Sequence, residues 1–200
     1  SYLIEGKPSR SLEKTKALME KDPQIWDLLM NQLSEITISS LKHQIESGVS
    51  AVQLFDSWAG LIDPKSYEQK VFPYSKQVLS SIDASHIPKI HFGVGTEPIL
   101  NLIAAAGADV VGIDSKTPID VAREKLGDEI AIQGNLDPEI CLESIEVVEE
   151  AVSKILTLNN NNFGHIFNLG HGVLPNTDPE ILSRVVEMVH SHKLPERKDG

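Results

Sequence analysis

A histidine between two glycines is the feature of this 200-residue sequence that is best suited to catalysis or ligand binding. His171 stands between Gly170 and Gly172, in the run Asn-Leu-Gly-His-Gly. Glycines remove side-chain bulk, so the imidazole could reach into a cleft, where it could donate hydrogen bonds or exchange a proton near neutral pH. The alternative is a turn histidine that caps the following helix, and the pattern leaves both interpretations open.

A serine at the end of an apolar run is the second candidate. Phe55 is followed by Asp56, Ser57 and Trp58. A serine in such a place can be a nucleophile, but no Gly-x-Ser-x-Gly elbow surrounds Ser57, which favours a hydrogen-bonding function. A simple serine turn before the next helix is the alternative interpretation.

The sequence contains only weak signals for cofactors and metals. Gly93-x-Gly95 follows an apolar run, but Pro98 occupies the third glycine position of a dinucleotide fingerprint, so a tight turn explains the pair. His91 is expected to be a satisfied core histidine, and the other histidines lack metal-ligand spacing. The single cysteine, Cys141, fits a reducing cytoplasm, and we expect a small buried side chain near a helix start. We therefore expect neither a metal nor an organic cofactor.

Proline pairs mark the helices that position these residues. In each pair an Asp or Thr oxygen can cap the helix, and the proline suits its first position. The pairs are Asp22-Pro23, Asp63-Pro64, Thr117-Pro118, Asp137-Pro138 and Asp178-Pro179. Helices are predicted over residues 24–47, 64–82, 118–126, 138–158 and 179–192, with a sixth from Thr96 to Ala106.

Short apolar runs between these helices predict buried parallel strands. They cover residues 51–55, 89–92, 109–113, 130–133 and 165–169. Strand and helix alternate five times, which predicts an α/β fold in one domain over residues 1–200. An open doubly wound sheet and a closed (β/α)8 barrel both fit the alternation. Both place ligands at the carboxyl ends of the strands, where Ser57 and His171 fall.

Charge and hydropathy exclude two classes of function. The net charge of −11 repels a phosphate backbone, and no basic stripe with interleaved aromatic residues is present, so nucleic-acid binding is not expected. No apolar run is long enough to cross a bilayer, so no membrane association is expected either.

Six short motifs along the chain form an ordered set. They lie at residues 1–6, 54–60, 91–96, 111–114, 133–138 and 168–172. In order and spacing they resemble the uroporphyrinogen decarboxylase family, over nearly the whole chain from Tyr2 to about His190. The resemblance implies a (β/α)8 TIM barrel, of which this chain would supply about five βα units without the N-terminal strands.

The resemblance also implies an activity and the residues that serve it. Family members are carboxy-lyases of porphyrin and haem biosynthesis: they convert the four acetate arms of uroporphyrinogen III to methyls, giving coproporphyrinogen III and four CO2, without a cofactor. The resemblance also implies a homodimer for the full-length protein, and the cysteine usage noted above predicts a cytoplasmic location. By resemblance Tyr2, Ser57 and His171 match catalytic positions, Tyr2 and Ser57 as donors to substrate carboxylates and His171 as a propionate-side contact. Phe55 matches a position that packs against the ring.

The sequence departs from the family pattern in ways that concern activity. The family's Arg-Gln-Ala-Gly-Arg-like motif and its catalytic Asp are not among these 200 residues, and Ser115 stands where the family often has a bulky aromatic. Only four arginines are present: Arg10, Arg123, Arg184 and Arg197. Guanidinium groups are the usual partners of carboxylates, so we expect little or no decarboxylase activity from this chain alone. We also expect exposed sheet edges that favour association.

Two other functions compete with decarboxylation. Cobalamin-dependent methyltransferases share the barrel, but they bind zinc through a His-x-Cys pair and a later Cys. The corresponding stretch here is His91-Phe92-Gly93, and Cys141 does not restore the pattern. The second alternative is a non-catalytic tetrapyrrole-binding protein.

Overall fold

Helices and strands alternate along the chain in the computed structural model, which describes residues 1–83, 86–159, 162 and 164–192. The strands are β1 (Val52–Phe55), β2 (Lys89–Phe92), β3 (Val110–Gly112), β4 (Ala131–Leu136) and β5 (His165–Leu169). The helices are α1 (Tyr2–Glu5), α2 (Glu13–Lys21), α3 (Pro23–Glu46), α4 (Pro64–Lys70), α5 (Phe72–Ser80), α6 (Leu100–Ala105), α7 (Ile119–Leu126), α8 (Ile145–Leu158) and α9 (Pro179–Ser191). Short 3₁₀ turns cover Ala59–Leu61, Glu97–Ile99 and Ile140–Leu142.

The strands form one sheet in the order β1-β2-β3-β4-β5. β1 is parallel to β2, with Val52 opposite Lys89 and Phe55 opposite Phe92. β4 is parallel to β5. Sequential order with parallel pairing requires a crossover between neighbouring strands, and the helices supply it. The predicted α/β fold with five βα repeats is therefore confirmed.

The chain divides into two compact units, the first from Ser1 to Val111 and the second from Gly112 onward. In the first unit, a cluster around Leu41, Val52 and Val78 packs α3 and α5 onto β1. In the second, Val148 and Val152 of α8 pack with Val185 of α9. Each unit thus buries the apolar face of its helices, which is the dominant contribution to its stability.

The first unit opens with two helices that the sequence analysis did not predict. α2 is short and charged, and its N-cap residue, Leu12, has a left-handed backbone at φ 52°. The Glu5 carboxylate joins α1 to α2, since it accepts from the backbone N–H and the hydroxyl of Thr15, both at 2.9 Å. The Thr15 backbone N–H is the main cause that lowers the pKa of Glu5. This polar contact, together with the buried side chains of Leu12 and Met19, holds the segment.

The helix predicted over residues 64–82 is wrong in one respect, because two helices occupy it. α4 ends at Lys70 and α5 begins at Phe72, with Val71 between them at φ −124°. Pro73 stands near the start of α5. Proline has no N–H to donate to a carbonyl four residues earlier, so it suits a first turn and breaks a continuous helix.

Two other predicted helices begin later than expected. In place of a helix from residue 138, Ile140–Leu142 form a 3₁₀ turn, and α8 starts at Ile145 after an extended Glu143. Likewise a 3₁₀ turn precedes α6, which starts at Leu100. In both places the proline begins a tight turn, and the α-helix follows it.

The five predicted caps have different outcomes. The carboxylates of Asp63 and Asp178 accept backbone N–H groups, from Ser66 and Glu180, as predicted. Asp22 is at the N-cap of α3 but its side chain makes no capping bond. Asp137 accepts from the Glu139 N–H at 3.0 Å before a 3₁₀ turn.

The predicted Thr117 cap is wrong, because Pro118 is the N-cap residue of α7. The Thr117 hydroxyl donates to the Asp114 carboxylate at 3.0 Å instead. β4 also differs from its prediction, since it continues to Leu136 through residues expected to form a loop. None of the described helices is both long and apolar enough to cross a membrane.

Candidate active site

The carboxyl end of β1 presents an exposed aromatic ring. Phe55, the last residue of β1, is 67% exposed. Its ring lies edge-on to Phe92, with centroids 6.0 Å apart. The β1–β2 ladder holds its backbone, and most of the ring is left as an exposed apolar surface. Phe55 therefore lies at a strand end, as predicted, with a surface to which a flat apolar ligand could bind.

Ser57 lies in a turn immediately beyond this strand. The Asp56 N–H donates to the Phe92 carbonyl at 2.7 Å, and the Asp56 carbonyl accepts from the Ala59 N–H at 3.0 Å. These two bonds close the β1 turn, residues 56–58. Ser57 is half-buried within it. The hydroxyl is thus carried on a turn whose backbone is hydrogen-bonded on both sides.

Tyr2 lies beside the same turn. It belongs to α1, is 54% exposed, and contacts Trp58 edge-to-face with ring centroids 6.1 Å apart. The structure therefore brings Tyr2 to the residue next to Ser57, although 55 positions separate Tyr2 from Ser57 along the chain. Two of the predicted site residues share one region of the first unit.

Glycines allow two turns of the first unit to approach each other closely. A Cβ on Gly60 would lie 2.2 Å from the Val94 carbonyl oxygen and 2.4 Å from that of Gly95. Gly95 itself has a φ of +68°, where a side chain is strained. A 3₁₀ turn follows at Glu97, rather than the helix that a dinucleotide site needs. Gly93 and Gly95 therefore lie in a close connection between β2 and this 3₁₀ turn.

His171 is exposed in the second unit and lies in a bend after β5. Its Nδ1 accepts the Gly172 backbone N–H at 2.8 Å. The neutral ring must then carry its proton on Nε2, which becomes a donor for a ligand. α9 begins only at Pro179 and is capped by Asp178, so the interpretation of His171 as a helix cap is wrong.

A polar cluster in the second unit was not singled out from the sequence. The Asn135 side-chain amide donates to the carbonyls of Asp114 at 2.9 Å and Thr117 at 2.6 Å. The peptide bond between Gly134 and Asn135 is cis. The signal available in the sequence is the Gln-Gly-Asn-Leu motif at the end of the strand predicted over residues 130–133. Asn135 ties the end of β4 to the loop after β3.

Two residues with alternative functional interpretations are in the core. Cys141 is 1% exposed, as predicted, and burial followed by the charge of Asp137 raises the pKa of its thiol, which disfavours a thiolate nucleophile. His91 is fully buried, but only half of the satisfied-core prediction holds. Nδ1 is 3.1 Å from the Ile103 carbonyl, whereas Nε2 has no hydrogen-bond partner in the described chain.

Known families provide the decisive comparison. The family model "Uroporphyrinogen decarboxylase (URO-D)" matches residues 1–192. The chain belongs to the uroporphyrinogen decarboxylase family. It is 53% identical over 190 residues to the uroporphyrinogen decarboxylase of Salinispora tropica, covering 95% of this chain and 51% of the relative. It is 51% identical to that of Streptomyces coelicolor, covering 96% and 54%.

The chain spans about half the length of these curated relatives. The family model and both of these relatives carry the name uroporphyrinogen decarboxylase, not that of a methyltransferase. Among the described residues, no three His, Cys, Asp or Glu side chains are grouped so that they could hold a metal ion.

A solved structure supports the fold class. A Listeria monocytogenes protein described as a vitamin-B12-independent methionine synthase matches with a TM-score of 0.58 at 10% identity, covering 87% of this chain and 56% of that chain. At this identity the likeness concerns the fold alone. With the family membership it confirms the predicted class, a partial (β/α)8 barrel of five βα units.

Proposed function

We propose that this chain forms the C-terminal part of a uroporphyrinogen decarboxylase. The observation that carries the proposal is the family match over residues 1–192. The curated relative from Salinispora tropica is 53% identical in sequence. The reaction converts the four acetate arms of uroporphyrinogen III to methyls, releasing coproporphyrinogen III and four CO2, in haem biosynthesis. The intact enzyme is a cytoplasmic homodimer. A single buried cysteine fits the reducing compartment.

The substrate supplies its own electron sink, so the reaction needs no cofactor. A proton added to a pyrrole carbon makes the ring cationic. The bond to the carboxylate carbon then breaks, and its electron pair neutralises the ring as CO2 leaves. A second proton completes the methyl group, and the proton first added to the ring carbon leaves, which restores the neutral pyrrole. The protein holds the ring, places protons and stabilises charge as it develops.

The predicted site residues divide this work. Phe55 packs against the macrocycle and shields it from water. Tyr2 and Ser57 donate hydrogen bonds to substrate carboxylates. His171 contacts the propionate side, and its Nε2–H is the donor, because Nδ1 is occupied by the Gly172 N–H. The exposure of Phe55, Tyr2 and His171 supports these roles.

The arginines of this chain support the expectation that it does not act alone. The buried Arg123 donates to the carbonyls of Ile130 and Gly164, and Arg184 is paired with Glu149 and Glu187. Arg10 is exposed, and Arg197 lies outside the described residues. Two of the four guanidinium groups are therefore engaged within the protein, whereas the substrate carries eight carboxylates that need cationic partners.

An anaerobic assay with and without a complementary segment tests the proposal. Uroporphyrinogen III is incubated with this chain alone, and with the chain plus the N-terminal half of the Salinispora tropica relative. After oxidation the porphyrins are separated. We expect coproporphyrin only from the mixture. Rapid turnover by the chain alone would contradict the proposal that arginines outside this chain hold the substrate carboxylates. The absence of product from both incubations would favour the non-catalytic binding protein.

A serine variant tests the site within the active mixture. Ser57→Ala should lower kcat/KM by about 10- to 100-fold, because a hydrogen bond to a charged group is lost. The matched control is Ser80→Ala, whose exposed hydroxyl donates to the Lys76 carbonyl of its own helix. Equal effects of the two substitutions would exclude a substrate contact at Ser57.

A further inference from the structure

A carboxylate turns inward from the β1 turn. Asp56 stands between Phe55 and Ser57, yet its side chain is only 25% exposed. Its Oδ2 lies 3.4 Å from the Tyr67 hydroxyl, 3.5 Å from that of Ser75 and 3.7 Å from Nε2 of His91. These residues, from α4, α5 and β2, complete the Asp56 cluster (Asp56, Tyr67, Ser75 and His91).

The orientation of His91 is determined by its other nitrogen. A carbonyl can only accept, so Nδ1 carries a proton and donates it to the Ile103 carbonyl at 3.1 Å. This bond directs Nε2 toward the Asp56 carboxylate. The ring is fully buried, and Nε2 has no hydrogen-bond partner in the described chain. With its proton on Nδ1, the neutral ring has only a lone pair on Nε2, so His91 is a close neighbour of the Asp56 carboxylate and not a donor to it.

Tyr67 supplies the cluster with a permanent donor. Its side chain is fully buried, and burial, followed by the charge of Asp56, raises the pKa of its hydroxyl above the usual value. Tyr67 therefore keeps its proton near neutral pH. Ser75, also buried, adds a second hydroxyl on α5. Both hydroxyl contacts are long for hydrogen bonds, and both are made to the same carboxylate oxygen, Oδ2 of Asp56.

From this geometry we propose that Asp56 is a positioning residue, which fixes the peptide carrying Phe55 and Ser57 through Tyr67 and Ser75. The backbone of Asp56 is already bonded to Phe92 and Ala59, and the carboxylate adds a third attachment, to the interior. Phe55 on one side and Ser57 on the other then have fixed directions. The consequence for the substrate rests on the proposed function, whereas the consequence for the turn does not.

Fluorine NMR of the whole chain tests the turn directly. The sequence has two tryptophans, Trp58 in the β1 turn and the buried Trp26 in α3. Labelling with 5-fluorotryptophan gives one resonance for each, and Trp58→Phe assigns them. In Asp56→Asn we expect the Trp58 resonance to shift and to split or broaden, while that of Trp26 stays in place as an internal measure of folding.

A matched pair of tyrosine variants makes the test specific. Tyr67→Phe removes one hydroxyl from the cluster, and Tyr74→Phe removes a hydroxyl that donates to Asp27 at 2.6 Å, outside it. Only Tyr67→Phe should move the Trp58 resonance. An unchanged Trp58 resonance in both Asp56→Asn and Tyr67→Phe would overturn the proposal, as would equal changes at Trp58 and Trp26.

Kinetics of the complemented enzyme provide the second readout. Because Phe55 and Ser57 hold the substrate, Asp56→Asn should raise KM on the order of tenfold with a smaller change in kcat. A loss of kcat at unchanged KM would overturn the positioning role. If the unsubstituted mixture shows no decarboxylation, the proposed function fails, and the Trp58 resonance still decides whether Asp56 holds the turn.

Discussion

Gly170 and Gly172 flank the same histidine but have different surroundings. A Cβ on Gly170 would lie 2.2 Å from the Ser115 backbone nitrogen, whereas a Cβ on Gly172 meets nothing within 4 Å. Gly170→Ala should therefore lower the free energy of unfolding by about 1–3 kcal/mol, because the clash is with backbone that must move. Urea unfolding followed by circular dichroism measures the change.

The control for this prediction is Gly172→Ala, which should stay within about 0.5 kcal/mol of the unsubstituted chain. Equal costs for the two glycines would mean that the close approach of residues 115 and 170 is not an energetic constraint. Destabilisation confined to Gly170 would show that this glycine is needed for packing, rather than for flexibility around His171.

A second residue-scale prediction concerns pH. The Nε2 of His165 lies 2.8 Å from the Gly134 carbonyl, and burial, opposed in part by that carbonyl, lowers the pKa of its imidazole. The unfolded chain then takes up a proton near pH 6.5 that the folded chain accepts only at lower pH. Stability is fully present above about pH 6.5 and falls as the pH drops below it.

His165→Gln should remove part of this loss of stability, since glutamine does not titrate. The measurement is the urea midpoint between about pH 7.5 and 5. His43→Gln is the control, because that exposed histidine bonds only within its own helix. An unchanged slope in His165→Gln would contradict the buried neutral form.

At the scale of elements, identical Asp-Pro starts differ in what the Asp does. The Asp178 carboxylate accepts the Glu180 N–H at 2.9 Å at the start of α9, while the Asp22 side chain makes no capping bond to α3. Asp178→Ala should cost about 1 kcal/mol of unfolding free energy, and Asp22→Ala clearly less. Chemical unfolding of the two variants side by side measures the difference, and equal costs would contradict it.

Helix boundaries show the same dependence on context. The break between α4 and α5 could be read from Pro73, since proline near a first turn is a local rule. The helix α2 could not be predicted in this way, because it has no proline at its start and the Glu5–Thr15 contact that joins it to α1 is tertiary. Local rules thus predict breaks and starts better than they predict helices that depend on a partner.

At the scale of the whole molecule, the sheet has an open edge. β5 is last in the strand order, and no strand pairs with its other side in the described part of the chain. Ile166 on β5 is 44% exposed. An unpaired strand edge with apolar side chains can pair with the edge of another chain. We therefore expect the isolated chain to self-associate, and we expect Ile166→Lys to reduce this self-association.

Size-exclusion chromatography with light scattering checks the association. Val147→Lys is the control, because Val147 is similarly exposed, at 40%, but lies on α8. Adding the N-terminal half of the relative should suppress association of the unsubstituted chain. An equal reduction by both substitutions would indicate an effect of net charge and not of the strand edge.

The sequence by itself determined the alternation of helix and strand, and the places of Phe55, Ser57 and His171 at strand ends. These follow from apolar runs, proline starts and glycine turns, which act within a few residues. The ordered motifs also identified the family before any contact was known. Tyr2 was predicted by resemblance alone.

Only the tertiary structure decided what these residues touch. Asp56, Tyr67, Ser75 and His91 are separated by up to 35 positions, and no local pattern predicts that their side chains meet. Likewise the sequence cannot distinguish Gly170 from Gly172, since the difference lies in a segment more than fifty residues away. Packing brings distant segments together, and the free energy of each contact depends on neighbours that sequence spacing does not specify.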